Sequence, residues 1–241
     1  MENQQHWEAV GSAYSASWEP PAKQMLSRRE LAFIAEHLRR TGARTALDVG
    51  IGNGRIIDAL LRATTTTRFH GIDIAREMVA VCQERFAGEE RVQELIACDI
   101  SQLRLPMAQE FDFISAIRVL KYSENWSAIV AYLISRLSPG GVLVFSMPNR
   151  ASINAASRDY AVPWHSSSKA QLAEVVQRAG ADVLDVTGFV RLPYVLYERP
   201  RRPRLVRLVT GTDLALQRLL GDELLTRELF VAAARRPAPA P

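Results

Sequence analysis

The chain has 241 residues, close to half of them apolar, with 30 Lys and Arg against 26 Asp and Glu and only two cysteines. That length suits one large domain with a buried core, and the composition is that of an ordinary globular protein, with no segment poor enough in apolar residues to demand disorder. Cys82 and Cys98 are too few for a disulfide framework, lack metal-ligand spacing and are expected to be buried thiols, so no metal is expected.

The chain opens on MENQQHWEAVGSAYSASWEP, which carries Trp7, Tyr14 and Trp18 but no basic-then-apolar secretory pattern. No apolar run approaches the roughly 20 residues that span a bilayer, so the expected location is the cytoplasm. Short apolar segments then predict strands at 45–49, 68–72, 92–98, 111–117 and 141–147. Helical spacing is expected near 54–62, 76–87 and 125–137, the last ended by the LSPGG turn at 137–141. Beyond residue 150 the pattern loosens into a loop, the amphipathic helix KAQLAEVVQRAG, the strand DVLDVTGF, a helix at 204–220 and a last strand, ELFVAAA. Strands alternating with helices through short connections predict an α/β fold, a doubly wound and mostly parallel sheet.

The stretch ALDVGIGNGRIIDALL places Gly50, Gly52 and Gly54 at the first strand-to-helix turn, behind Asp48. A backbone this bare lets a ligand approach closely, at the sheet edge where open α/β folds bind ligands. A phosphate-cradling loop needs Lys and then Ser or Thr after its last glycine, where this chain has Arg55, Ile56 and Ile57. A dinucleotide fingerprint needs a third glycine three residues after the second, which falls on Arg55 or Ile57. Asp48 also disfavours a pyrophosphate and suits a ligand carrying positive charge. Asp73 follows 19 residues after Gly54 at the end of the second strand, near the offset at which an acidic side chain reaches ribose hydroxyls. Asp99 follows the third strand.

LDVGIGNG, HGIDIA, IACDISQL, FDFISAIRVLKY and LSPGGVLVFSMPN together resemble the motifs of the class I S-adenosylmethionine-dependent methyltransferases, over roughly residues 25–190. The resemblance implies a Rossmann-like seven-stranded sheet with its last strand, ELFVAAA, antiparallel. It also implies S-adenosyl-L-methionine as cofactor and S-adenosyl-L-homocysteine as product. On this resemblance Asp48, Gly50, Gly52 and Gly54 form the donor loop, Asp73 and Ile74 meet the ribose, Asp99 and Ile100 meet the adenine, and Ala116 in the fourth-strand region also binds the donor. Residues 1–24 would be a lid, with Tyr14 nearest the methionine part, and 25–241 the catalytic domain, with a basic helical insertion at about 199–222.

The acceptor side is less distinct, because methyl transfer needs chiefly alignment and water exclusion. Candidate catalytic groups are Tyr14, Arg118 and His165, the last in VPWHSSS and of a residue type able to accept a proton from a hydroxyl or ammonium. Where relatives often carry a histidine after the fourth strand, this chain has Lys121 and Tyr122.

Residues 191–241 hold 10 basic and 5 acidic side chains, against 20 and 21 before them. This basic segment admits contact with an anionic membrane or an acidic partner. A helix packed between the last strands, with a solvated basic face, is the favoured reading. The Asn-Pro-Pro-Tyr-type motif that holds a nucleic-acid base is absent after the fourth strand, so the expected partner is a small-molecule methyl acceptor and not nucleic acid. A nicotinamide-dependent oxidoreductase and a catalytically silent partner subunit stand as alternatives; the oligomeric state is left open.

Overall fold

In the computed structural model, residues 6–8, 20–153, 164–198, 202–221 and 224–237 are described. The first long element was not anticipated: helix α1 (Pro21–Thr41) begins with proline at its first position and ends at Gly42, whose N–H reaches Arg39 O at 3.1 Å. Its start at Pro21 places residues 21–24 on this helix, across the boundary drawn at residue 24. It lacks a clean apolar stripe because it buries Lys23, Glu30 and His37 along with Leu26, Ile34 and Leu38.

The sheet strands are β1 (Thr45–Val49), β2 (Arg68–Asp73), β3 (Val92–Ala97), β4 (Phe111–Ala116), β5 (Leu137–Pro148), β6 (Ala181–Phe189) and β7 (Glu228–Arg235). Their order is β3-β2-β1-β4-β5-β7-β6. Strand β7 runs antiparallel to both neighbours, so it alone opposes the other six. The α/β, Rossmann-like fold expected from the sequence is therefore the fold observed.

Connecting helices α2 (Arg55–Ala63), α3 (Arg76–Arg85), α4 (Trp126–Ser135) and α5 (Lys169–Arg178) cover both faces, as right-handed parallel connections require. One apolar layer joins Leu26, Ile34 and Ile57 to Phe113 and Phe230. The other joins Leu47, Ile114 and Phe145 to Trp126, Leu133 and Leu172. Between β6 and β7 lie the short helix α6 (Val195–Glu198) and the longer α7 (Pro203–Leu220).

The LSPGG segment is a correction. Helix α4 stops at Ser135, and LSPGG opens β5 instead of separating helix from strand. Leu137 lies opposite Phe111 and Val142 opposite Phe113, so the residues between them bulge from the ladder. Gly140 adopts φ 77° there, and a Cβ on Gly141 would stand 2.9 Å from Ser138 O.

Candidate functional site

The strand order reverses between β1 and β4, and the carboxyl ends of the strands around that point open into a cavity of about 750 Å³. Val49, Gly50 and Gly52 line it from β1, Ile72, Asp73 and Ile74 from β2, and Cys98, Asp99 and Ile100 from β3. Ile117, Arg118 and Val119 follow β4 and form the opposite wall.

The glycine loop is fastened to the end of β2: Gly50 N–H and Ile51 N–H both donate to Ile72 O, at 2.7 and 3.1 Å. Its three glycines differ in use. A Cβ on Gly50 would meet Val119 Cγ2 at 2.1 Å, and one on Gly54 would meet the Phe86 ring at 2.6 Å, whereas one on Gly52 would meet nothing within 4 Å. Gly50 and Gly54 are thus fixed by the protein's own packing, whereas Gly52, which lines the cavity with Gly50, has open space at its Cβ position. Gly54 does not reach the cavity wall.

Asp73 links the loop to the cavity floor. Its Oδ2 accepts from Gly52 N–H at 2.8 Å and its Oδ1 from Ala75 N–H at 2.9 Å. Burial raises its pKa, opposed by the amides of Ala75, Gly52 and Ile74. A carboxylate has about four acceptor positions, so these amides still leave acceptor capacity for a hydroxyl group from the cavity. Asp99 stands at the next strand end, its Oδ1 accepting from Ser101 N–H at 2.9 Å at the start of a short helical turn.

Asp48 lies behind the loop and off the cavity wall. It pairs in register with Ser115 of β4, whose Oγ donates to Oδ1 at 2.6 Å. Its Oδ2 is buried without a partner among the described residues, and burial pushes the carboxyl up to about 7.

Several expected residues stand elsewhere or act otherwise. Ala116 is fully buried in the sheet, and Ile117 and Val119 take the wall position assigned to it. Arg118 does line the cavity, but its guanidinium is clasped between Glu30, with one contact at 3.0 Å, and Glu228, at 2.9 Å. Its φ of 62° is uncommon for a bulky side chain, and its N–H is held by Ser146 Oγ at 2.9 Å. Burial works against the Glu228 carboxylate, yet Arg118 and Lys121 hold its pKa below the ordinary value. Arg118 is therefore a wall-building cation in an ion-pair network.

His165 lines the cavity, and its N–H donates to Lys121 O at 2.7 Å, tying its loop to the segment after β4. Trp7 also borders the cavity, edge-on to Tyr122 with ring centroids 5.1 Å apart. Tyr14 and Trp18, and with them most of the lid segment, lie outside the described residues. The expectation of two buried thiols holds for Cys82, whose pKa burial pushes up to about 12, but Cys98 is half-exposed on the cavity wall. Its place just before Asp99 at a strand end was the available signal. Met78 on α3 was also missed, with no signal beyond its place on that helix. Among the described residues no cluster of His, Cys, Asp or Glu could hold a metal ion.

Residues 47–143 match the family described as Methyltransferase domain. The malonyl-[acyl-carrier protein] O-methyltransferase of Halalkalibacterium halodurans is 28% identical over 153 residues, covering 61% of this chain and 53% of that protein. Among solved structures, the [4+2]-cyclase SpnF superposes with a TM-score of 0.68 at 18% identity, covering 98% of this chain and 95% of its own. Magnesium protoporphyrin IX methyltransferase from Synechocystis PCC 6803, with bound SAM, gives a TM-score of 0.64 at 12% identity over 96% of this chain and 94% of its own. The chain spans about half the length of the first curated relatives it matches, from 30 to 61%.

A seven-stranded sheet with β7 reversed and a glycine loop between strand-end carboxylates defines the class I methyltransferase type. Over residues 47–143 the chain matches the methyltransferase-domain family, and its fold is that of solved S-adenosylmethionine-dependent methyltransferases. S-adenosylmethionine is the cofactor of that family.

Proposed function

We propose that this protein transfers a methyl group from S-adenosylmethionine to an oxygen or nitrogen atom of a small metabolite. The observation that carries this is Asp73, poised between the Gly52 amide and an open cavity whose next strand end presents Asp99. The open space at Gly52 and the acceptor capacity left on Asp73 fit a donor with free ribose hydroxyls.

In this reading Asp73 and Ile74 hold the ribose, Asp99 and Ile100 the adenine, and the Gly50–Gly52 backbone the methionine part. When bound, the donor supplies a methyl group already activated by its sulfonium. What remains for the chain is to orient the acceptor and keep water out. Ile117, Val119 and the Trp7–Tyr122 pair give the wall an apolar, aromatic character suited to a partly apolar acceptor. His165 is the histidine on that wall and the group placed to take the acceptor's proton. The likeness to a cyclase is one of fold alone and adds no second reading.

The test is incubation of the purified chain with methyl-labelled S-adenosylmethionine and a deproteinised small-molecule extract, with Asp73→Ala as control. Label in a new small molecule only with the unsubstituted protein is the expected result. Donor binding without label transfer in any fraction would sink the proposal in favour of a silent partner subunit.

A further inference from the structure

Helix α7 packs through one face and leaves the other bare. Its inner face is set by Asp213, fully buried, which accepts from Arg29 Nη1, Arg191 N–H and Tyr197 OH, each at 2.8 Å. Val206 and Thr210 lie buried with it. This much agrees with the packed-helix reading of the sequence.

The outer face does not. Leu205, Leu208, Thr212, Ala215 and Leu219 recur at intervals of three and four residues, so they form one stripe, and all five are exposed. Leu208 is 65% and Leu219 79% exposed. Arg204, Arg207 and Arg218 lie together along one side of the stripe, also exposed. The helix contains a single carboxylate, Asp213, and that one points inward. A helix designed only to pack would turn its leucines inward and mix charges outside.

We infer that this helix docks in the plane of an anionic lipid bilayer, its leucines entering the acyl boundary and its arginines at the phosphate level. In-plane amphipathic helices combine these two features. Among the described residues no helix is long and apolar enough to cross a membrane, so the contact is interfacial. A second copy of the chain fits less well. Two-fold pairing of the stripe would bring two arginine rows together without an exposed carboxylate on either helix to offset them. An anionic bilayer supplies the missing charge.

The α6–α7 insertion leaves the carboxyl end of β6, the end of the sheet at which the cavity opens. The inference does not depend on the methyl-transfer reading, because its test contains no donor.

The full chain is sedimented with vesicles of phosphatidylcholine alone and with vesicles of equal parts phosphatidylcholine and phosphatidylglycerol. Binding to the second and not the first is expected. The combined variants L205Q/L208Q/L219Q and R204Q/R207Q/R218Q are each expected to lower the partition coefficient at least about tenfold, with unchanged thermal melting. If the leucine variant does not fold, the arginine variant and the loss of binding in high salt decide the matter. No sedimentation with anionic vesicles, or folded variants that bind like the unsubstituted chain, would overturn the inference. So would a dimer that the leucine variant dissolves, which would give the stripe to a second copy.

Discussion

The loop joining β1 to α2 and the insertion joining β6 to β7 both lie at the carboxyl end of the sheet, and both contain glycine. In the loop, Gly50 and Gly54 are crowded by Val119, Phe86 and Cys82, and Gly52 opens on the cavity. In the insertion, Gly211 sits in the middle of α7 with nothing within 4 Å of where its Cβ would be. The first region is determined by backbone geometry, so its residues can be read as a motif. The second is determined by which face meets what, and a glycine there has no contact that demands it.

Substitution within the loop gives the sharpest test of that difference. Gly54→Val should cost about 3–5 kcal/mol of stability, combining a left-handed backbone with a clash against the Phe86 ring. Urea denaturation would measure it, and a loss below about 1 kcal/mol would mean that the Phe86 packing is wrong. Gly52→Val carries only the backbone strain, about 1–2 kcal/mol, because its side chain enters open space. It should nonetheless abolish S-adenosylhomocysteine binding by calorimetry. Retained binding would place the donor away from this loop.

Asp48 distinguishes the two regions electrostatically. Its carboxyl stands near 7 in the folded chain and near 3.8 when unfolded. Between those values the native state holds a proton that the unfolded state has lost, so stability falls as pH rises through this window. The span is worth at most about 4 kcal/mol. Asp48→Asn should therefore melt progressively higher, relative to the unsubstituted protein, from pH 5 to pH 8. A constant difference across that range would show that Asp48 titrates normally.

On the acceptor wall, His165→Ala should lower kcat about 100-fold with donor affinity intact, the usual weight of a positioned general base. A loss under about threefold would leave His165 as a lining residue only. Asp73→Ala should weaken donor binding at least tenfold, about 1.4 kcal/mol, through loss of charge-assisted hydrogen bonds. It also frees the Gly52 amide, so a melting curve must accompany the titration.

The strands and the three strand-end aspartates were legible because each follows from local pattern: an apolar run, a turn residue, a carboxylate. Helix α1 was not, since Lys23, Glu30 and His37 occupy its buried face and erase the apolar period. Glu30 is buried because Arg118 reaches it across 88 residues of sequence, a pairing that only the tertiary fold creates. Arg118 was accordingly singled out for its position while its partners stayed invisible. LSPGG failed for a different reason, since a bulge and a helix-terminating turn call on the same proline and glycines.

Gly211 offers the smallest effect and the cleanest contrast with Gly54. In a helix interior glycine costs roughly 0.5–1 kcal/mol relative to alanine, through the backbone freedom it loses on folding. Gly211 is exposed, lies within α7 and has open space at its Cβ position. Gly211→Ala should therefore stabilise the protein by about that amount, raising its melting temperature by a few degrees at most. Because residue 211 lies beside the leucine stripe and removes no arginine, vesicle binding should hold or rise slightly as the helix stiffens. Destabilisation would mean that the helix bends or closes against another surface at this point, and that its outer face is not the open one from which the membrane contact is inferred.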